Sequence, residues 1–509
     1  MRRSCVIAGG TTKTATTKQL TMGINEEETL TTTLIDPESL DNPNPTYQKG
    51  ELQDSKCRDA WAAILFYAQL IAVCCVCGVL GVPAVRRNFG AGNDVVVVEG
   101  RTDYTGLIYV TLIAAASSFT LSTISLTLMT SCPKFLIQLS LLFSLLLSLL
   151  ITATSFYYQQ YIAGAFGILF FLMSCCYACC VWRRIPFAAA NLNTGLTAVK
   201  RNGGVFVTSV WITVVSFGYL VVWMVAMVGV YDATAAAAAG GGNVEGNNVQ
   251  PSWGYLFLLL LALFWTQQVF QNTIHVIVAG VVSTWWFAPD EASSCCSVAI
   301  KDSFIRATTC SFGSICFGSL LVAIIQTLRS MVESARHDSS NDGCAAFVLC
   351  LVDCLLQCLQ GILEYFNKFA YIYVGMYGYS YLEAGKNVMT LFHAKGWDII
   401  IADDLVSNTL SLFALIGGGL VGCVGLATNA AFPSWLAGFE GAASGIAFGF
   451  SFLIGLVISS IMLSVVDSSV NTVLVSFAEA PEEFQQNHPK LSGEMRDAWR
   501  LVYPAECGF

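Results

Sequence analysis

The chain predicts an all-α fold, a polytopic transmembrane helix bundle of about ten spans with both termini cytoplasmic. Of its 509 residues 55% are hydrophobic and only 12% charged, against the ~25% usual in soluble proteins. Mean hydropathy is +0.63. Ten windows carry the roughly 20 apolar residues that a helix rising 1.5 Å per residue needs to cross a hydrocarbon core about 30 Å thick. Unpaired backbone is costly in lipid, so each window is read as a helix that satisfies its own N–H and C=O groups.

Residues 1–58 come first, rich in Thr, Asp, Glu, Asn and Pro with almost no aromatics. That composition cannot bury enough apolar surface to fold, so a disordered cytoplasmic N-terminal tail is expected. No apolar run suited to a signal peptide follows Arg2 and Arg3, and cleavage is not expected. The spans then run over 60–82, 105–130, 134–154, 161–182, 204–231, 254–286, 309–331, 345–364, 405–428 and 442–466. They make one transmembrane domain over 59–478, followed by a cytoplasmic C-terminal tail over 479–509.

Orientation follows from Lys and Arg in short loops, which tend to stay cytoplasmic. Arg183, Arg184, Lys200 and Arg201 precede the fifth span with no acid among them, whereas 232–253 has Asp232 and Glu245 and no base. The fifth span therefore runs outward, and counting from it places both termini inside. The loop 83–104 on the expected outer side balances Arg86, Arg87 and Arg101 against Asp94, Glu99 and Asp103. The loop 329–344 is mixed in sign, and 429–441 has no base.

Twenty cysteines are present. CCVC at 74–77, CCYACC at 175–180, and Cys350, Cys354 and Cys358 fall within spans, where cysteine acts as a small hydrophobe. Cys176 and Cys179 form a CxxC, yet no second ligand pair lies near, so no metal site is expected. Cys295 and Cys296 lie in a loop beside a span, a position where palmitoylation occurs. The only Asn-x-Ser/Thr pattern, Asn44-Pro45-Thr46, is excluded by its proline.

Small residues mark close helix contacts, because lipid gives no hydrophobic drive and packing decides. Gly441, Gly445 and Gly449 form one such ridge, Gly418 and Gly422 a second, and Cys310, Ser314 and Gly318 a third.

Three regions break the apolar pattern. The first is FWTQQVFQNTIHVIVAG, 264–280, in the sixth span. At helical spacing Trp265, Gln268, Asn272, His275 and Trp286 share one face, a polar stripe between two indoles, while Gln267 and Gln271 lean to one side. An unpaired polar group in lipid costs several kcal/mol, so the stripe faces a wet path or ties helices together. The second is EYFNKFAYIYVGMYGYSY, 364–381, with eight aromatics. It reads as an interfacial belt or as a cage for an ammonium ion, in which Tyr373, Tyr377 and Tyr381 share a face. The third is the pair of intramembrane acids Asp353 and Asp467, candidates to balance a cation, pair with a helix or reach water.

Four histidines, His275, His337, His393 and His488, stand apart from one another. HExxH, GxSxG and paired catalytic carboxylates are absent, so an enzyme such as an acyltransferase or protease is not expected, nor any catalytic residue or cofactor. No basic patch interleaved with aromatics points to nucleic acid. The lipid bilayer is the one partner that composition requires, and the oligomeric state is not legible.

GSICFGSLLVAIIQTLR (313–329), EYFNKFAYIYVGMYGYSYLEAGKNVMTLF (364–392), GWDIIIADDLVSN (396–408) and NHPKLSGEMRDAW (487–499) resemble the choline transporter-like proteins, solute carrier family 44. The likeness is to the short-loop branch of fungi, plants and protists. It implies a ten-helix bundle with cytoplasmic termini in the plasma membrane. It also implies sodium-independent, facilitative transport of choline or a related small organic cation. The family pattern WTxxVxxNxxHVxxAG falls on Trp265, Asn272, His275, Ala279 and Gly280. The long first outer loop of the animal branch is missing, as 83–104 is short. From the polar stripe with its two indoles and the tyrosine face, the expected substrate contacts are Trp265, Gln268, Asn272, His275, Trp286, Tyr373 and Tyr377, with the glycine ridges allowing helices to slide. A non-transporting scaffold or channel-like protein of the same fold is the alternative, although rings of one charge sign or a filter motif are not seen.

Overall fold

The computed structural model describes residues 49–90, 105–239, 253–338, 343–395, 405–439 and 441–502. The tail up to 48, most of the loop 83–104, the loop residues 240–252 and 339–342, and GWDIIIADD in 396–404 lie outside the described residues.

Among the described residues ten helices are long and apolar enough to span a membrane, and each falls on one of the ten windows. α1 (Ala60–Val76) continues through a π-turn, Cys77–Gly81, into α2 (Val82–Gly90). The turn is where the chain meets α7 (Gly204–Ala239), and Gly81 and Gly229 leave no room for a Cβ at that contact. α3 (Thr105–Ser131) and α4 (Pro133–Tyr157) form the second and third spans. α5 (Tyr161–Val181) runs through a short 3₁₀ turn into α6 (Ile185–Arg201), so the fourth span is longer than its window.

α8 (Trp253–Phe287) is the sixth span and lies at the centre. It packs against α7, the short α9 (Val298–Thr308), α10 (Phe312–Asp338), α11 (Gly343–Tyr377) and the last span. α11 overruns its window to take in most of the aromatic segment. It stops at Tyr377 because Gly378, at φ +80°, breaks the helix before α12 (Tyr381–Lys395). Tyr381 thus starts a new helix, and the expected common face of Tyr373, Tyr377 and Tyr381 is interrupted.

α13 (Leu405–Ala431) and α14 (Ala443–Glu479) make the most extensive helix pair. Small residues do create it, but not all the expected ones. A Cβ on Gly425 would lie 2.5 Å from the Ala447 carbonyl oxygen, one on Gly422 2.7 Å from the Phe448 ring, and one on Gly418 3.1 Å from Leu456 Cβ. Gly445 and Gly449 face open space, with nothing within 4 Å of a Cβ. The ridge on α14 is instead Ala447, Ser451, Gly455 and Ser459, all buried. The third ridge divides its partners: Ser314 bonds to Asp59, whereas Gly318 makes room for the rings of Tyr371 on α11 and Tyr381 on α12.

Both ends of the described chain meet where α8, α11 and α14 terminate. α15 (Pro481–Asn487) and α16 (Pro489–Val502) fold back onto that end. Trp499 is fully buried and its Nε1–H donates to Asn191 Oδ1 at 3.0 Å. His488 stacks on Trp285 at 4.0 Å, and burial pushes its imidazole pKa down. Residues 49–59, of which 49–58 were placed in the tail by composition, lie across the same end. Gly50 N–H donates to Glu479 Oε1 at 2.7 Å, and Gln53 N–H to the Tyr377 carbonyl at 2.9 Å.

Candidate functional site

A polar cavity of about 420 Å³ opens among α8, α10, α11 and α14. α8 supplies Gln268, Gln271, Asn272, Ile274 and His275, so the stripe reaches the cavity together with one of the two amides set aside as off-face. α10 supplies Gln326. α11 supplies Glu364, Asn367 and Lys368, and α14 supplies Ser464, Asp467 and Ser468.

His275 is held by two other helices. Its Nε2 lies 2.8 Å from the Lys368 carbonyl oxygen and its Nδ1 2.8 Å from Ser468 Oγ. A carbonyl only accepts, so Nε2 carries the proton and, in the neutral ring, Nδ1 accepts from the serine hydroxyl. Asn272 Nδ2 donates to Ser319 Oγ at 2.9 Å on α10. Asn367 donates to the Gly318 carbonyl at 3.1 Å and accepts from Tyr381 Oη at 2.5 Å. The two asparagines on this wall are therefore locked in orientation by partners behind them.

Asp467 accepts from Ser407 Oγ at 2.6 Å and from Asn471 Nδ2 at 3.1 Å. Two carboxylates, Glu364 and Asp467, face one ammonium, Lys368, a formal balance of −1. A second space of about 270 Å³ shares Gln271, Ile274 and Ser464 with the first. It carries the polar lining around α8 to Gln267, whose Oε1 accepts from Ser216 Oγ at 2.7 Å.

The expected aromatic walls lie elsewhere. Trp265 is buried, with its Nε1–H donating to the Cys316 carbonyl at 2.9 Å. Trp286 lies 11 residues beyond His275, about 17 Å along the helix. Its indole stacks on Phe484 at 3.9 Å and donates to the Ala480 carbonyl at 3.0 Å. Tyr373, Tyr377 and Tyr379 cluster with one another at 5.3 to 6.3 Å between ring centres, away from the polar cavity. The aromatic segment is core rather than an exposed belt, since Tyr371, Tyr373 and Phe369 are all fully buried.

The two acids also separate. Asp467 lines the cavity, whereas Asp353 pairs with Arg329 at 3.0 Å between α10 and α11. Arg329 also donates to Gln360 Oε1 at 2.7 Å, and Gln360 to Glu364 at 2.7 Å, which links the pair to the cavity rim. Sequence reasoning missed Glu364, Asn367 and Lys368. Their i, i+3, i+4 spacing puts them on one helix face, but they sit in a run dominated by aromatics. Gln326, Ser464 and Ser468 gave no signal of their own.

A wall of amides, hydroxyls and two carboxylates can hold and release a hydrated or charged small molecule. Among the described residues no group of three or more His, Cys, Asp or Glu residues is placed to hold a metal.

Comparison with known proteins agrees with this architecture. Residues 165–482 match the family described as plasma-membrane choline transporter. The protein called PNS1 of Gibberella zeae is 29% identical over 461 residues, 86% of this chain and 82% of the relative. PNS1 of Debaryomyces hansenii is 31% identical over 372 residues, 70% of each chain. PNS1 of Saccharomyces cerevisiae is 29% identical over 403 residues, 77% of this chain and 73% of the relative. The match takes in all of α8, α11 and α14 up to Glu479, the helices that carry most of the polar cavity. With this match over more than half of its length and ten candidate spans among the described residues, the chain belongs to the plasma-membrane choline transporter family, a family of multi-pass transporters and not of enzymes.

Proposed function

We propose that the protein carries a small organic cation, choline or an ethanolamine-like amine, through the cavity on α8, α11 and α14. Movement is facilitative and independent of sodium, as the family resemblance implies. The observation that carries this reading is the lining: two carboxylates against one ammonium, with the amides Gln268, Gln271, Asn272 and Asn367 around them. An organic cation entering such a space exchanges water for fixed acceptors and a net negative field.

The same lining bears on which cation is favoured. None of the residues lining the cavity is Phe, Tyr or Trp, and quaternary ammonium ions are held chiefly by the faces of those rings. A protonated primary amine has N–H donors for the carboxylate and amide oxygens, and each hydrogen bond to a charged group contributes about 1.5–3 kcal/mol. The cavity therefore favours the amine over its trimethylated analogue by about tenfold or more.

Uptake of radiolabelled ethanolamine and choline by transport-deficient cells expressing the chain tests both parts. Saturable ethanolamine uptake is expected, with choline competing only at about tenfold higher concentration. If neither cation enters above background at normal surface expression, the protein is a non-transporting scaffold of this fold. If choline wins, this lining without Phe, Tyr or Trp is not the site.

A further inference from the structure

A third and larger cavity, about 790 Å³, lies at the end of the bundle where both ends of the described chain meet. α8 and α11 line both spaces. On α8 the polar cavity ends at His275 and the larger one begins at Gly280; on α11 the corresponding residues are Lys368 and Met376. The two spaces are therefore stacked along the same pair of helices, with a crossing between them.

That crossing is closed by backbone. A Cβ on Gly375 would lie 2.7 Å from the Val276 carbonyl oxygen and 2.9 Å from Ala279 Cβ, so α8 and α11 touch there directly. α9 presses in from the side: a Cβ on Gly280 would lie 2.6 Å from Ser303 Oγ and 3.1 Å from Arg306 Nη2. Arg306 Nη2 donates to the Gly375 carbonyl at 2.5 Å. Because α11 stops at Tyr377, that carbonyl has lost its place in the helical ladder, and a cation on the last turn also suits the helix dipole. Helix capping alone would explain the bond. It does not explain why the guanidinium sits on the wall of a cavity, at a contact between the two spaces.

The larger cavity is roofed by Lys49, Gly50, Leu52 and Ser55 of the segment 49–59. That segment is bonded to helix ends on every side. Lys49 pairs with Glu483. Gly50 is held by Glu479, Gln53 by Tyr377, and Arg58 N–H by the Cys310 carbonyl at 3.1 Å. Asp59, in the left-handed region at φ 51°, accepts from Ser314 Oγ at 2.6 Å and from Tyr381 N–H at 3.0 Å. One short strap thus fastens the ends of α10, α11, α12 and α14 together.

We propose that residues 49–59 and Arg306 form the closed gate at this end of the transport path, with the larger cavity as its vestibule. The proposal rests on the polar cavity being the transport site. The strap is the lid, and Arg306 is the bolt on the α8, α9 and α11 crossing behind it. An organic cation leaving the polar cavity in this direction meets a fixed positive charge and a backbone contact. Passage requires that Arg306 release Gly375 and that the strap let the helix ends separate. Asp59 is the residue on which release turns, because its one carboxylate bonds α10 and α12 at once, beside the Arg58–Glu383 pair at 3.5 Å.

Thiol accessibility tests this without any substrate. Ser464→Cys places a reporter in the polar cavity, and sealed vesicles are exposed to a membrane-impermeant thiol reagent from the face carrying both termini. Labelling is scored against the parent chain, which carries native cysteines. With the gate intact the reporter is expected to react slowly. Arg306→Gln and, separately, Asp59→Asn are expected to speed labelling by about tenfold or more, and Arg306→Lys, which keeps the charge, by less than Arg306→Gln. Asp59→Asn touches neither α9 nor α11, so it keeps the test valid if Arg306 variants fold poorly. Unchanged labelling in both folded variants overturns the gate. Faster labelling with no amine uptake by the parent chain leaves the gate standing and rejects the transport site instead.

Discussion

At the scale of residues, the polar groups of α8 divide by what stands behind them. Asn272 and His275 are braced by Ser319, Ser468 and the Lys368 carbonyl and still line the cavity. Bracing of this kind fixes a donor or acceptor before a ligand arrives, which lowers the ordering cost of binding. Trp265 shares their helical face but uses its one donor on the Cys316 carbonyl, out of the cavity. Trp265→Phe removes that bond and keeps the apolar ring. It is expected to cost about 0.5–1.5 kcal/mol of stability, seen as a lower thermal midpoint, with half-saturation of uptake moved by no more than about twofold. A tenfold rise at unchanged expression would return the indole to the site wall.

At the scale of elements, the number and order of helices were legible, because each span needs a continuous apolar run and lipid leaves no other backbone solution. Rotation about each helix axis was less so. Four-residue glycine spacing marks a ridge in principle, and Gly418 with Gly422 does meet α14. Gly445 and Gly449 have the same spacing yet meet nothing, because the facing ridge on α14 runs through Ala447, Ser451, Gly455 and Ser459. A paired substitution separates the two kinds. Gly425→Val forces a side chain into the Ala447 carbonyl and Ser451, and overpacking costs about 1–3 kcal/mol. It should leave little monodisperse protein on size-exclusion chromatography in detergent. Gly445→Val should elute as the parent chain does. If both survive alike, the α13–α14 contact is not what holds these helices.

At the scale of the whole molecule, the cavity joins parts of the chain that no local pattern connects. His275 meets a residue 93 positions away and another 193 positions away. The family pattern marked Asn272 and His275, and intramembrane charge marked Asp467. Glu364, Asn367 and Lys368 stayed hidden because eight aromatics in the same segment drew the reading toward a cage. Those rings bury themselves in the core instead, as large apolar side chains do wherever a break such as Gly378 lets the chain turn back. The end of the bundle was misread for a similar reason. Composition assigned 49–58 to a tail, since a strap held by backbone N–H groups needs few apolar side chains. The central claim, that an organic cation is balanced by the carboxylate of α14, is tested most directly by the concentration dependence of amine uptake. Asp467→Asn and Asp353→Asn are measured side by side at matched surface expression. The account predicts that Asp467→Asn raises the half-saturating concentration about 10- to 100-fold, the loss of one charged hydrogen bond. Asp353→Asn, whose parent carboxylate serves Arg329, stays within about twofold of the parent chain. Equal affinities for Asp467→Asn and the parent would contradict it.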